Sequence, residues 1–370
     1  MLVSYKFIKS CVFSGAMFGG IAFAADITIG VSGPYSGDLA SYGIPSKRAA
    51  EIVAAKVNAA GGINGKNIKL VFEDDVCKPE VAANVAAKMV TSGVKVVLGH
   101  ICSGATKAAL PTYKDAGVLV ISPSATNPAL TQSGDYPNFF RTIASDDSQA
   151  MTEVDFAIAQ GLKKLAVIHD KGDYGKGLAE FAKKFIEESG KAKVVLFEGV
   201  TPGAVDYSAI VQKIKRSSAD AVIYGGYHPE ASKIVSQMKK KRIKIPFISD
   251  DGVKDDTFIK IAGKYAEGVY ATGPKDNSNN PITKQAVAEH KQKYKEDKGA
   301  FFENAYAAMQ VLVKAIEATG GEELAVLKKY MQSNDVETSV GKIRFDERGD
   351  ALGVGFAMYQ VQNGKYVEIK

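Results

Sequence analysis

Cysteine and histidine are scarce in this chain, and their scarcity removes several kinds of chemistry at once. Three cysteines and four histidines are spread over 370 residues. His100, His169, His228 and His290 make no H-x-x-x-H pair and the cysteines no C-x-x-C pair, so no zinc site is expected. The phosphate loop G-x-x-x-x-G-K-[ST], the nucleophile elbow G-x-S-x-G and a G-x-G-x-x-G turn after a strand are all missing, so no cofactor is expected. Beyond residue 24 no segment offers about eighteen uninterrupted apolar residues, the length a membrane-spanning helix needs. Charge of one sign is not concentrated either. The net +6 is distributed along the chain, and its densest run, Lys239-Lys240-Lys241-Arg242, closes a predicted helix, where cations complement the dipole. That run is read as a solvated helix end, and no nucleic-acid partner is expected.

What is present describes an exported globular protein. Lys6 and Lys9 precede a charge-free stretch from Cys11 to Ala24 that ends in Ala22-Phe23-Ala24, an A-x-A cleavage pattern. Residues 1–24 are therefore read as a secretory signal peptide, cleaved after Ala24, which places the remainder in the periplasm. Cys11 lies at the start of that stretch, poorly placed for a lipid anchor. Cys77 and Cys102 are then the only mature cysteines, and an oxidising compartment suggests one disulfide, two separate buried thiols being the alternative. Closing a loop of this length stabilises by about 3–4 kcal/mol on the chain-entropy estimate.

Hydrophobic content of 46% with 24% charge supports a folded chain, and its length suits two lobes of roughly 150 residues each. Short apolar runs alternate with amphipathic stretches. Strands are predicted at 27–31, 68–72, 94–98 and 118–121, with helices at 42–60, 79–92 and 103–116 between and after them. A Pro-, Ser-, Asn- and Gly-rich break at 122–141 follows, and then the rhythm restarts. Helices are predicted at 146–160, 177–189, 207–217 and 229–240, with strands at 165–169, 194–197, 221–224 and 247–249. Such alternation gives parallel sheets with helices on both faces, so the expected fold class is α/β, with two doubly wound lobes. After a second break at 272–281 come helices at 282–298, 301–319 and 322–331, then strand-like pieces at 342–345, 353–361 and 366–369. Those late helices need a sheet to cover. The simplest arrangement divides the chain into lobe 1 (25–142 plus 275–352) and lobe 2 (143–274 plus 353–370) joined by a multi-stranded hinge.

Polar groups gather where strands run into helices. Gly99 to Thr106 leaves one strand and enters a helix, where Ser103 and free N–H groups suit a carboxylate. Ser122-Pro123-Ser124-Ala125-Thr126 follows the next strand, at the carboxyl end where open α/β sheets bind ligands. In the second half, Tyr224 to Glu230 and Ser249-Asp250-Asp251-Gly252 leave two further strands. An acid there suits an ammonium group, so a zwitterion has both halves matched; a plain turn or N-cap is the alternative at Asp250-Asp251.

These segments together resemble the periplasmic leucine/isoleucine/valine-binding proteins of ATP-driven uptake systems. The resemblance rests on Ser41-Tyr42-Gly43, Asn58 to Ile63, Asp74 to Pro79, Gly99 to Ser103, Ser122 to Thr126, His169-Asp170-Lys171, Tyr224 to Glu230, Gly299 to Phe302 and Phe345 to Asp350. It implies a type I periplasmic binding protein fold and a Cys77–Cys102 disulfide beside the pocket. It implies Ser103, Thr126 and the Ser124 backbone on a ligand carboxylate, and Asp251 on its ammonium. It further implies Tyr227 from the second lobe, with Tyr42, Tyr174 and Phe302 walling the side-chain pocket. The ammonium acid is commonly Glu in such proteins and is Asp here, beside a second acid, Asp250, and Ser124 stands where Ala is also familiar. The implied partners are an amino acid and, transiently, a membrane permease, with the chain a monomer and not an enzyme. Two other readings stay open at this point. One is a ligand sensor of the same fold, and the other is an exported enzyme acting on amino acids or amides, suggested by His100 near Cys102.

Overall fold

The computed structural model describes residues 26–369. The expected signal peptide, residues 1–24, lies outside the described residues. The first sheet is built from β1 (Ile27–Gly33), β2 (Ile68–Asp74), β3 (Val96–Leu98), β4 (Leu119–Ser122) and β5 (Phe139–Arg141). All its pairings are parallel, in the order β2-β1-β3-β4-β5. Alternation along each strand divides the side chains between two helix layers. Ile27, Ile29, Val31, Val96, Leu98, Leu119 and Ile121 pack on one face with α1 (Ala40–Ala59). Val97 and Val120 face the other way, into a cluster with α2 (Pro79–Thr91) and α3 (Ser103–Asp115). A short helix, α4 (Ala129–Gln132), precedes β5.

The second sheet repeats that plan. After α5 (Asp146–Ala159) come β6 (Lys164–His169), α6 (Asp173–Ser189), β7 (Lys193–Gly199), α7 (Ser208–Ser217), β8 (Ala221–Gly225), α8 (His228–Lys240), β9 (Phe247–Ser249), α9 (Asp256–Ala262) and β10 (Tyr270–Pro274). These strands pair in parallel in the order β7-β6-β8-β9-β10, the same winding as the first sheet. The chain then goes back to the first half. α10 (Pro281–Tyr294), α11 (Phe302–Thr319) and α12 (Leu324–Ser333) cover the face that α1 also covers.

Several details differ from the sequence expectation. The second sheet is not wholly parallel, because β14 (Phe356–Gln362) and β15 (Lys365–Glu368) extend it antiparallel from β10. Before them, β11 (Val336–Thr338), β12 (Gly341–Phe345) and β13 (Ala351–Leu352) form a small antiparallel sheet of their own. The breaks at 122–141 and 272–281 also contain strand. β5 and part of β10 lie inside them, each too short for a period-2 pattern to stand out among Pro and Gly. α6 begins at Asp173, four residues before the expected start at Gly177. Its glycines serve close approach and not a turn. A Cβ on Gly175 would lie 2.3 Å from the Gly225 carbonyl oxygen, so only glycine lets α6 meet the end of β8.

Candidate functional site

In both sheets the parallel strands end on the turns that carry the polar motifs. β3 and β4 deliver Gly99–Cys102 and Pro123–Thr126, while β6, β8 and β9 deliver Asp170–Gly172, Gly226–Tyr227 and Asp250–Gly252. The two sets of carboxyl ends face one another across a cavity, the position at which wound α/β sheets hold ligands. Its first-half lining is Tyr42, Ile101, Ser103, Ser124 and Phe301; its second-half lining is Tyr174, Tyr227, Asp251 and Gly252. The free space among them is small, about 10 Å³, room for about one water sphere.

The first half offers hydrogen-bond donors. Ser103 opens α3, and its Oγ accepts the Asn127 N–H at 3.3 Å, leaving the hydroxyl proton to give. The helix start adds free N–H groups and a positive partial charge. Ser124 Oγ donates to the Ile101 carbonyl (2.9 Å), and the Ser124 N–H leans on Ser122 Oγ (3.3 Å). Beneath them lies a fully buried network. His100 Nδ1 is 2.6 Å from Asp75 Oδ2, Tyr113 Oη is 3.2 Å from His100 Nε2, and Ser122 Oγ donates to the His100 carbonyl (2.6 Å). Cys77 and Cys102 are joined in a disulfide, Cα atoms 5.6 Å apart, which ties the end of β2 to the residue before Ser103. His100 is thus committed to holding the turn, and Cys102 is not a free thiol. A Cys–His nucleophile, the motive for the enzyme reading, does not exist here.

The second half offers a carboxylate. Asp251 is 2% exposed; its Oδ1 accepts the Tyr174 hydroxyl at 2.5 Å, and its Oδ2 has no hydrogen-bond partner. Burial pushes its carboxyl up to about 6, against the pull of the hydrogen bond from Tyr174. Asp250 points elsewhere. Its Oδ2 accepts the Gly226 N–H at 2.7 Å, and it is outside the cavity lining. Asp146, Glu153 and Asp250 are buried behind Asp251, and burial raises each of their pKa values well above the ordinary carboxylate range. Gln149 joins this group to the site, accepting the Asp251 N–H (2.7 Å) while its amide nitrogen donates to Asp146 (3.1 Å).

Aromatic rings close the cavity. Tyr227 sits 5.8 Å from Tyr42 and 5.2 Å from Tyr174, centroid to centroid, and Phe301 is 6.0 Å from Tyr42. Tyr42, Ser103, Ser124, Tyr174, Tyr227 and Asp251 are therefore brought together as expected from the sequence, while Thr126 and Phe302 are not among the lining residues. Thr126 is fully buried at the edge, its carbonyl accepting from Arg141 Nη1 (2.6 Å), its hydroxyl without a partner. Phe302 turns into the first-half core against His290 and Tyr306. Its neighbour Phe301 takes the cavity position, held at φ 57° before α11. Consecutive residues at a helix start point about 100° apart, so only one of the pair can face the site. Phe302 shares an apolar stripe with Ala305, Tyr306, Met309, Leu312 and Ile316, and the packing of α11 on the first sheet decides that this stripe turns into the core and away from the cavity. Ile101 and Gly252 lie in turns that the sequence marked, but neither was expected to line the cavity.

Comparison with known proteins agrees with this geometry. The profile of the periplasmic binding protein family matches residues 26–365. The Leu/Ile/Val-binding protein of Escherichia coli K12 is 38% identical over 343 residues, 92% of each chain. A leucine-, isoleucine-, valine-, threonine- and alanine-binding protein of Pseudomonas aeruginosa is 38% identical, over 93% of this chain and 92% of its own. Among solved structures, the branched-chain amino acid transporter substrate binding protein LivJ of Streptococcus pneumoniae, in complex with isoleucine, superposes with a TM-score of 0.83. It is 29% identical and covers 93% of this chain and all of its own. A leucine-binding protein of Thermotoga maritima gives a TM-score of 0.86 at 25% identity, covering 93% of this chain and 98% of its own. Two sheets of one winding order, a cavity between their carboxyl ends and this similarity along the whole described chain lead to one conclusion: the chain belongs to the periplasmic binding protein family, alongside the leucine/isoleucine/valine-binding proteins.

Proposed function

We propose that this protein captures a small amino acid, with leucine, isoleucine or valine favoured, between its two lobes in the periplasm and delivers it to the membrane permease of an ATP-driven uptake system. The observation that carries the reading is the buried Asp251 carboxylate, with Oδ2 unpartnered, set across a narrow aromatic cavity from the start of α3. Asp251 takes the ammonium. The Ser103 hydroxyl, the free N–H groups of α3, the Ser124 backbone and the unpartnered Thr126 hydroxyl serve the carboxylate. The side chain lies among Tyr42, Tyr174, Tyr227, Ile101 and Phe301, which offer contact area and no charge. The names of the four similar proteins, each of which includes a branched aliphatic ligand, support that preference.

Capture in this reading is binding without chemistry. Closure removes water from the charged groups and so strengthens their attraction to the zwitterion, and the permease reads the closed shape. Residues 1–24 act as the export leader. The lobes comprise residues 25–142 plus 275–352 and residues 143–274 plus 353–370, and the protein works as a monomer. The test is native mass spectrometry of the purified chain followed by thermal shift with each of the twenty amino acids. A mass gain or a melting-temperature rise at sub-millimolar leucine, isoleucine or valine is expected. If none of the twenty shifts the transition, the reading fails.

A further inference from the structure

Tyr42 does more than wall the cavity. It stands on α1, in the first half, with 1% of its surface exposed, yet its hydroxyl makes all its hydrogen bonds to the second half. Its proton goes to the Gly252 carbonyl, in the turn that carries Asp251. Its oxygen lies 2.6 Å from His228 Nδ1 and 3.4 Å from the His228 N–H, at the start of α8 just after Tyr227. With the tyrosine proton committed to Gly252, Nδ1 must carry the imidazole hydrogen and donate it to Tyr42. Burial lowers the pKa of His228 and keeps the ring neutral. Its Nε2 has no partner. One hydroxyl therefore links both second-half turns that face the ligand, and parting the lobes exchanges these contacts for water.

We infer that Tyr42 and His228 form a closing latch, in which His228 is a positioning residue that never touches the ligand and sets affinity by stabilising the closed state. The opposite rim carries a second crossing, Lys107 Nζ to Asp173 Oδ1 at 2.8 Å, with Asn127 Nδ2 donating to the Asp173 carbonyl at 2.6 Å. The Lys107–Asp173 pair is half exposed and solvent-screened. The buried Tyr42 contacts carry the larger share, since hydrogen bonds shielded from water are stronger than a screened surface pair.

The inference rests on the two-lobed capture reading, and its test separates the two. Spin labels at exposed positions on each lobe report the inter-lobe distance in the wild type, Tyr42→Phe, His228→Gln and Lys107→Gln, with and without leucine, alongside calorimetric affinity. Tyr42→Phe keeps the aromatic wall and removes only the latch oxygen. It and His228→Gln are expected to weaken leucine binding about five- to tenfold and to shift the labels toward the open distance, while Lys107→Gln changes affinity less than twofold. A merely structural role would lower the melting temperature and leave the inter-lobe distance unchanged. Unchanged or tighter binding in Tyr42→Phe, or an equal loss in Lys107→Gln, overturns the latch. Failure of the wild type to bind any amino acid overturns the capture reading instead, and the ligand-free distances still decide the latch.

Discussion

In the proposed reading Asp251 takes the ligand's ammonium and so concentrates the site's chemistry in one side chain. An ammonium needs it ionised, and burial raises its carboxyl to about 6. Protons therefore compete with the ligand below that value. Leucine affinity is expected to be flat from pH 8 to 7 and to fall up to about tenfold per pH unit below 6, because each unit removes about 1.4 kcal/mol of carboxylate availability. Titration calorimetry at pH 7.5, 6 and 5 measures this, and proton release on binding near pH 6 accompanies it. Asp251→Asn should lose about ten- to hundredfold in affinity, the worth of a charge-assisted contact of roughly 1.5–3 kcal/mol. The remaining binding should be independent of pH. Phe301 and Phe302 show what residue-level reading cannot settle alone. Both rings lie in one motif, and which one faces the ligand depends on the phase of α11 against the first sheet.

Among elements, the turns are held from behind. Arg141 on β5 is fully buried, yet its guanidinium is satisfied by Asp350 (2.5 Å), the Thr126 and Asn127 carbonyls (2.6 and 3.0 Å) and Thr131 Oγ1 (2.7 Å). One side chain thus fixes the turn after β4 to the loop between β12 and β13. Arg141→Met should destabilise by about 3–5 kcal/mol in denaturant melts, because Asp350 and the carbonyls lose their donor. The Cys77–Cys102 bridge is expected to contribute about 2–4 kcal/mol, read from the shift in urea midpoint of the Cys77→Ala, Cys102→Ala double variant. On α5, Glu153 is fully buried beside Thr272 Oγ1 (3.0 Å), among Asp146, Asp250 and Asp251. Its folded pKa is raised, so the native state binds the proton more tightly than the unfolded chain does, and stability falls as pH rises. Glu153→Gln should therefore melt about 2–4 °C higher than the parent at pH 8, with the gap closing by pH 5. A lower melting point at pH 8 would show that the charge has a partner.

The whole molecule is two copies of one winding order with the ligand site between them. In the proposed capture reading, a cavity with room for about one water admits an amino acid only when the halves part, so binding is coupled to closure. Small-angle scattering should show a smaller radius of gyration with saturating leucine than without it. No change on binding would argue against a hinge. The return of α10–α12 to the first sheet makes the crossing between halves multi-stranded, which favours rotation about an axis over loose tethering.

Strand and helix alternation fixed the α/β class from the sequence alone, because 2.0 and 3.6 periodicities are local properties of backbone geometry. The turns with Ser103, Ser124, Tyr227 and Asp251 were legible for the same reason, since chemistry at a strand's carboxyl end is written in consecutive residues. β5, the antiparallel attachment of β14 and β15 to the second sheet and the choice of Phe301 over Phe302 were not legible. Each depends on partners remote in the sequence or on the phase of one element against another. The meeting of Tyr42 with His228, 186 positions apart, likewise exists only when two separately folded halves close. Local pattern decides what each segment is, and packing alone decides which segments meet.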